Sequence, residues 1–272
     1  MEIKLRQLQT NRDFEACVQL QKETWGENFS ECVPPAILMI GQKIGGVSAG
    51  AFNAKDEMVG FVFGLTGIKD DHLVNWSHML AVRKDVRGQD IGWKLKLYQR
   101  ELLLEREVGI VYWTYDPLVA KNAHINLNKL GAKIQEYVPD MYGEDTGSDL
   151  HRGLGMDRFI VRWPIRDKRV QQVISGKLEK VDDSFIRVPS VNTEPGDNNP
   201  NPVEKKLPEV EAVRVEIPLN IETIQQKDLQ LAGKWRANTR RAFVWYLDKG
   251  YQVESFYREK QSNRCFYVLK LA

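Results

Sequence analysis

The sequence predicts an α/β (α+β) fold with a mixed, mostly antiparallel central sheet flanked by helices, followed by a smaller C-terminal lobe. Three observations lead to this prediction. Short polar turns separate three strand-like runs between residues 46 and 82, and such turns are typical of antiparallel hairpins. From Ile91 the apolar spacing becomes helical. Residues 211–272 read as strand, helix, strand and strand.

A strand and two helices are predicted before the hairpins. Residues 2–8 alternate apolar and polar side chains, which indicates a strand. Thr10 and Asp13 have the spacing of a capping box and predict a helix start there. Pro34 and Pro35 precede a second helical run. The three strands that follow are predicted over 46–53, 58–66 and 73–82.

The second half of the predicted sheet alternates with helices. Ile91, Leu95, Tyr98 and Leu102 recur at spacings of one helix face, so a helix is predicted to about Glu107. Later elements are a buried strand over 110–115, a helix over 118–130, a loop over 139–155 and a strand over 158–163.

The composition suggests three regions. Residues 1–165 form the predicted main domain, and 211–272 form the C-terminal β-α-β-β lobe. Between them, residues 166–210 are polar and rich in proline, which predicts a linker or a long exposed loop. The sequence leaves three roles open for the lobe: completing an acceptor pocket, adding strands to the main sheet, or contacting a second copy in a homodimer.

Charge and cysteine content exclude several classes of function. With 39 basic and 37 acidic residues the net charge is +2, too small for non-specific attraction to nucleic acid or membranes. Cys17, Cys32 and Cys265 are widely spaced, which predicts neither a disulfide framework nor a metal site. No apolar run approaches the length of a membrane span, and the N-terminus lacks the apolar region of a secretory signal. We therefore expect a cytoplasmic protein.

A loop between a strand and a helix is the strongest functional signal. Arg87-Gly88-Gln89-Asp90-Ile91-Gly92 follows the strand Leu80-Ala81-Val82 and opens the next helix. Unpaired amides at a helix start, together with the helix dipole, bind phosphate groups. Arg83, Lys84 and Arg87 add positive charge beside this loop.

Over about residues 2–165 the chain resembles the GNAT (N-acetyltransferase) superfamily, whose signature is Arg/Gln-x-x-Gly-x-Gly/Ala after its fourth strand. The resemblance implies that Arg87–Gly92 hold the diphosphate of coenzyme A. It also implies that the strand Leu80-Ala81-Val82 binds the pantetheine arm through its backbone. Acetyl-CoA or another acyl-CoA is then the expected co-substrate, without a metal.

The chain departs from the family pattern at two places. Asp90 stands where the family has its central glycine, and a carboxylate there is able to cap the helix instead of a diphosphate. Leu127 stands where the family often has a tyrosine that protonates the leaving thiolate. Asn122 and Asn126 share a predicted helix face and are candidates for binding pantetheine or substrate. The alternative is that Asn122 only ties the helix start to Asp116-Pro117.

Candidate catalytic residues lie on the strands beside this loop. His78 is the preferred general base because an imidazole titrates near neutral pH, and Ser77 is its neighbour with the opposite side-chain direction. Asp116 is the alternative base, with Tyr115 beside it as a substrate contact. For the acceptor, Tyr142, Ser148 and Arg158 are candidates, Arg158 by pairing with a carboxylate.

These observations favour an N-acyltransferase that acts on a small amine or amino acid by direct transfer. The alternative is a non-catalytic acyl-CoA sensor or interaction module, suggested by Asp90 and Leu127. A third hypothesis, nucleic-acid binding, rests on the basic C-terminal helix. There the apolar face of Ala232, Trp235, Ala242 and Phe243 instead favours a core helix with charged borders, and we expect neither a nucleic-acid nor a membrane partner.

Overall fold

The computed structural model describes residues 2–143, 147, 153–177, 188–194, 200–259 and 262–272. Their contacts group them into two units. The first comprises 2–113, 147 and 162–171, and the second comprises 114–143, 153–161 and the described residues from 172 onward.

The first unit begins with the predicted strand and helix pair. Thr10 Oγ1 accepts a hydrogen bond from Asp13 N at 3.2 Å, and the Asp13 carboxylate bonds back to Thr10 N, which confirms the capping box. The elements up to residue 105 are β1 Lys4–Gln7, α1 Asn11–Trp25, α2 Pro35–Lys43, β2 Val47–Phe52, β3 Met58–Lys69, β4 His72–Val82 and α3 Ile91–Glu105.

The core of this unit lies where α1 and α2 pack on β3. Phe14 and Leu20 of α1, Leu38 of α2, and Phe61 and Phe63 of β3 are all buried. Burying a large apolar side chain stabilises a fold by about 1.5–3 kcal/mol. This packing holds β3, and the β4 strand paired with it, in a defined position.

The remaining elements follow in chain order. They are β5 Ile110–Tyr115, α4 Ala120–Ala123, β6 Lys133–Val138, β7 Arg158–Pro164, α5 Lys168–Ile174, β8 Ala212–Ile217, α6 Ile221–Lys227, α7 Leu229–Asp248, β9 Tyr251–Arg258 and β10 Cys265–Leu271. Instead of the single predicted helix over 118–130, α4 continues as a π-helix, His124–Lys129.

The main sheet has the strand order β1-β2-β3-β4-β5-β7-β6. Strands β1 to β4 pair antiparallel with their neighbours, and β4 pairs parallel with β5. The predicted mixed, mostly antiparallel sheet flanked by helices is therefore confirmed. Strand β6 was not predicted, because its position at the edge of the sheet allows a polar, partly exposed sequence.

The C-terminal lobe has its own antiparallel sheet, with the order β8-β10-β9. Among the described residues its strands do not pair with the main sheet, which contradicts the second of the three roles left open by the sequence. The single long helix predicted before β9 is divided at Asp228, whose side chain accepts a hydrogen bond from Leu231 N and so caps α7. The predicted core face of α7 is confirmed, since Ala232, Trp235, Ala242 and Phe243 are buried.

Part of the predicted linker is packed rather than exposed. Val191, Asn192 and Thr193 are buried. The Asn192 side chain exchanges two hydrogen bonds of 2.8 Å with the backbone of Glu216, which compensates for the burial of these polar groups. The exposed loop predicted over 166–210 is therefore corrected at this segment, and α5 is a helix within the same region. In the described ranges, no helix is long and apolar enough to cross a membrane.

Candidate functional site

The pairing between β4 and β5 is short. It joins Val74–Trp76 to Ile110–Tyr112, and in the described chain the next residues of β4, Ser77–Val82, have no partner in β5 and, apart from His78, pair with β3. The opposite edge of β4 thus keeps backbone groups that are able to bind an extended ligand, because each strand residue carries one donor and one acceptor, although Val82 O is already bonded to Arg87. Leu80, Ala81 and Val82, the predicted pantetheine residues, lie on this stretch.

The loop after β4 presents a group of unengaged amides. Helix α3 begins at Ile91, and its first internal bond runs from Lys94 N to Asp90 O at 2.9 Å. Within the described residues, the amides of Gly88, Gln89, Ile91 and Gly92 donate no hydrogen bond. Gly88 adopts a φ of 89°, which glycine tolerates without steric cost. These donors, at the positive end of the helix dipole, suit a diphosphate.

Asp90 does not occupy those amides. Its backbone is left-handed, with φ 56° and ψ 20°, and its side chain makes no capping hydrogen bond to α3. Aspartate is one of the few residues besides glycine that tolerate this conformation. The carboxylate therefore stands in a glycine-like position without filling the helix start.

Arg87 links the same loop to the end of β4 by a hydrogen bond. Its Nε donates to Val82 O at 3.1 Å, while the side chain remains exposed. Arg83 is paired with Asp85 at 2.7 Å, and Lys84 is exposed. Arg87 and Lys84 are consequently the cations best able to meet an anionic ligand here.

His78 lies at an irregularity of β4. Phe63 pairs with Met79 and Gly64 pairs with Ser77, so His78 is an extra residue that has no direct partner in β3. Such bulges re-aim side chains and are frequent beside active sites. The imidazole is half-buried and contacts the ring of Phe63 edge-on. Burial lowers the pKa of His78, with a smaller opposing effect from Glu31, so the neutral, proton-accepting form is favoured.

Ser77 points into the protein interior. Its hydroxyl accepts a hydrogen bond from Lys96 Nζ at 2.8 Å and donates one to Gln99 Oε1 at 3.1 Å. Both partners belong to α3, and all three side chains are buried. Ser77 and His78 therefore face different surroundings, as their adjacent positions predict.

In the second unit, Asp116 is held by cations. Its carboxylate accepts hydrogen bonds from Arg236 at 2.6 Å and from Leu118 N at 2.8 Å, and Arg158 lies 4.0 Å away. The oxygens of this carboxylate are therefore already engaged by donors of the protein. Arg158 is itself buried, and burial lowers its pKa.

The other predicted substrate residues have separate environments. Tyr115 is buried, and its hydroxyl lies 3.2 Å from that of Tyr267. The Tyr142 hydroxyl lies 3.1 Å from Thr114 Oγ1, and the Arg158 guanidinium lies over the Tyr142 ring at 5.7 Å. Two of the candidate acceptor residues, Tyr142 and Arg158, therefore lie close together. The third candidate, Ser148, lies outside the described residues.

Asn122 and Asn126 lie on the α4 and π-helical segment. Asn122 is partly exposed, whereas Asn126 is buried. A π-helix is rare and occurs frequently at functional sites. In the described chain no group of three or more His, Cys, Asp or Glu side chains could hold a metal ion.

Lys96 and Asp157 are among the buried ionic groups that sequence reasoning missed. Lys96 lies on the buried face of α3 with Gln99 and Leu103, and the spacing of three and four residues in the sequence is the signal that could have found it. Asp157 is fully buried in the second unit, where it accepts hydrogen bonds from Arg240 and Tyr137. Its partners come from distant parts of the sequence, so no local pattern indicates them.

The second unit also contains an open cavity of about 1080 Å³. Arg236, Arg240 and Trp245 of α7 form one side, and Gly153 and Gly155 lie on another. Asp140 also lines the cavity and pairs with Arg240 at 2.8 Å. The cations of this wall are therefore already matched by carboxylates.

The sequence matches no protein-family model and no curated protein. In structure it is similar to the ribosomal-protein-S18-alanine N-acetyltransferase from Escherichia coli, at 16% identity over 60% of this chain and 94% of that chain, with a TM-score of 0.46. It is also similar to aminoglycoside 6'-acetyltransferase type Ii, at 20% identity over 60% and 97% of the two chains and a TM-score of 0.46. A third similar structure is an acetyltransferase of the GNAT family from Streptococcus pneumoniae, at 14% identity over 59% and 98% and a TM-score of 0.47.

Three features of the chain's own structure agree with the resemblance to the GNAT superfamily. The order of its elements, the early end of the β4–β5 pairing and the amide-lined loop agree with what the motif in residues 87–92 implies. By these features the chain resembles the GNAT acetyltransferase superfamily in fold and carries an additional C-terminal lobe.

Proposed function

We propose that this protein is an acyl-CoA-dependent N-acyltransferase, with acetyl-CoA as the default donor. The observation that carries the proposal is the set of amides at Gly88, Gln89, Ile91 and Gly92 that donate no hydrogen bond within the described residues, directly after a stretch of β4 that has no partner in β5 there. Amides at a helix start suit the diphosphate of coenzyme A, and the edge of β4 suits its amide-containing pantetheine arm.

His78 acts as the general base in this proposal. The acceptor amine attacks the thioester carbonyl carbon, its proton passes to His78 directly or through one water, and the C–S bond breaks to release the thiolate. The favoured neutral form of the half-buried imidazole supports this role. Asp116 is less suited, because Arg236 already binds its carboxylate. With Leu127 at the family's tyrosine position, the thiolate leaves without a tyrosine donor.

The proposed acceptor is a small amine or amino acid. Similar structures differ in this respect, since one is a ribosomal-protein-S18-alanine N-acetyltransferase and another is an aminoglycoside 6'-acetyltransferase. Arg158 and Tyr142 remain the proposed acceptor contacts, because the guanidinium and the ring lie together. A panel of amino acids, polyamines, aminoglycosides and short peptides would separate these classes by thiol release.

Isothermal titration with coenzyme A and acetyl-CoA is the direct test of the cofactor site. We expect micromolar binding, and we expect Arg87→Met to weaken it about tenfold because one phosphate contact is lost. Arg12→Met, an exposed change on α1, is the matched control and should leave the affinity unchanged. No binding by the unmodified chain at high micromolar ligand would refute the proposal.

Catalysis needs a separate measurement. An acyltransferase releases free thiol from acetyl-CoA only when an acceptor is present. Binding of coenzyme A without thiol release against the whole panel would instead support the acyl-CoA sensor, the alternative that Asp90 and Leu127 suggest.

A further inference from the structure

Lys96 is buried without a carboxylate partner in the described chain. Only 5% of the residue is exposed, and burial alone lowers its pKa well below that of an ordinary lysine. Its Nζ donates to Ser77 Oγ at 2.8 Å and to Gln99 Oε1 at 3.1 Å, and it lies 3.8 Å from the centre of the Trp113 ring. We call Lys96, Ser77, Gln99 and Trp113 the Lys96 cluster.

This cluster lies where β4 and β5 stop pairing. The last pair in the parallel register is Trp76 with Tyr112. Continuing that register by one residue would bring Ser77 opposite Trp113, and these are the two strand residues that Lys96 contacts. From α3, one ammonium group therefore reaches both strands at the point of their separation.

The same cluster is tied to the irregularity in β4. Gln99 Nε2 donates to Asn75 Oδ1 at 3.3 Å, and Asn75 Nδ2 donates to Thr66 Oγ1 of β3 at 3.2 Å. The register of β3 and β4 shifts between these contacts and Met79. Hydrogen bonds from α3 thus fix β4 immediately before its free edge begins.

Stability does not explain a lysine at this position. Removing an ammonium group from water costs several kcal/mol when no carboxylate compensates, and an apolar side chain of similar volume is often neutral or stabilising there. The chain therefore retains a costly group at a place where its contacts define the spacing of two strands.

We propose that Lys96 is a positioning residue, which holds the ends of β4 and β5 at the separation that leaves the β4 edge open to the pantetheine arm. The proposal rests on the function proposed above. It predicts that the Lys96 cluster affects binding of the pantetheine part of coenzyme A and leaves the diphosphate loop, which begins at Arg87, unaffected.

The test compares coenzyme A with 3'-phosphoadenosine 5'-diphosphate, which has the diphosphate but no pantetheine arm. For Lys96→Met we expect about tenfold weaker binding of coenzyme A, as when a preorganised binding edge is lost, and unchanged binding of 3'-phosphoadenosine 5'-diphosphate. The thermal midpoint should be equal or higher. Lys55→Met, in the exposed turn between β2 and β3, is the control and should alter neither affinity.

The other outcomes are also decisive. Unchanged coenzyme A binding by Lys96→Met, or an equal loss for both ligands, would overturn the proposal while leaving the acyltransferase function standing. If the unmodified chain binds neither ligand, the proposed function itself fails. Should Lys96→Met not fold, Ser77→Ala breaks the same link from the β4 side. We then expect Ser77→Ala to weaken the binding of coenzyme A and to leave the binding of the ligand without a pantetheine arm unchanged. Unchanged affinity of Ser77→Ala for coenzyme A would contradict the positioning role of Lys96.

Discussion

At the scale of single residues, Asp90 combines a glycine-like backbone with an unfavourable charge. Its φ of 56° is compatible with asparagine as well as aspartate, so Asp90→Asn should preserve the loop. It removes a carboxylate beside the proposed diphosphate site. Two like charges a few ångströms apart in a solvated site repel each other by about 0.5–1 kcal/mol, so removing one of them corresponds to about two- to fivefold tighter binding of coenzyme A.

Calorimetry at low and high salt checks this prediction. Salt screens the charge of the carboxylate, so the difference in coenzyme A affinity between Asp90→Asn and the unmodified chain should be smaller at high salt. Asp71→Asn is the matched control, since Asp71 is also left-handed at φ 60° but lies in the turn between β3 and β4. Weaker binding by Asp90→Asn would mean that the carboxylate helps to hold the ligand.

His78 makes a prediction about pH. An ordinary histidine has a pKa of about 6.5, and burial lowers that of His78. The neutral base therefore persists to lower pH, and kcat should fall only as the pH decreases through the lowered pKa. His78→Gln should reduce kcat at least about a hundredfold, remove this acid limb and leave coenzyme A affinity nearly unchanged.

His72 provides the control for that profile. It lies at the exposed start of the same strand, so His72→Gln should keep the full acid limb. A normal pH profile in His78→Gln would exclude His78 as the base.

At the scale of elements, the contact of α3 with β4 depends on a small residue in β3. A Cβ at Gly64 would lie 2.5 Å from Asn75 Oδ1 and 3.0 Å from Gln99 Nε2. Overpacking of this kind costs about 1–3 kcal/mol, so Gly64→Ala should lower the free energy of unfolding by that amount. Gly67→Ala, on the same strand with nothing within 4 Å of its Cβ, should have little effect in urea titrations. Equal stability of the two variants would show that these polar contacts are loose.

At the scale of the whole molecule, the second unit joins β5 and β7 to the C-terminal lobe. The Tyr115 hydroxyl contacts Tyr267, the Asp157 carboxylate accepts from Arg240, and the Phe159 ring packs on Phe243 and Tyr267. A chain ended after Trp163 loses all of these partners and leaves a buried carboxylate uncompensated. We expect such a fragment to lack a cooperative thermal transition.

The full-length chain measured in parallel supplies the reference transition. A fragment 1–163 that unfolds cooperatively near the same temperature would show that the C-terminal lobe is dispensable for folding. In that case its role in an acceptor pocket or a homodimer becomes the remaining question.

Most helices and strands follow from local sequence. The capping box at Thr10, the helix after Ile91 and the strand Ile110–Tyr115 were predictable because their signals depend on neighbours within a few residues. Strand β6 and helix α5 were not predicted from the sequence, because short polar elements have no strong hydrophobic periodicity. The π-helix was not predicted for a related reason, since a six-residue segment with i→i+5 instead of i→i+4 hydrogen bonds is too short to change the residue pattern recognisably.

The sequence by itself determined the loop Arg87–Gly92 and its place between a strand and a helix, because a helix start and its dipole are local properties. Only the tertiary structure decided that Asp90 leaves the amides open, that Lys96 is buried between Ser77 and Trp113, and that Arg236 binds Asp116. Those outcomes depend on partners far apart in the chain. Their energies come from burial and charge compensation, which a linear pattern does not encode.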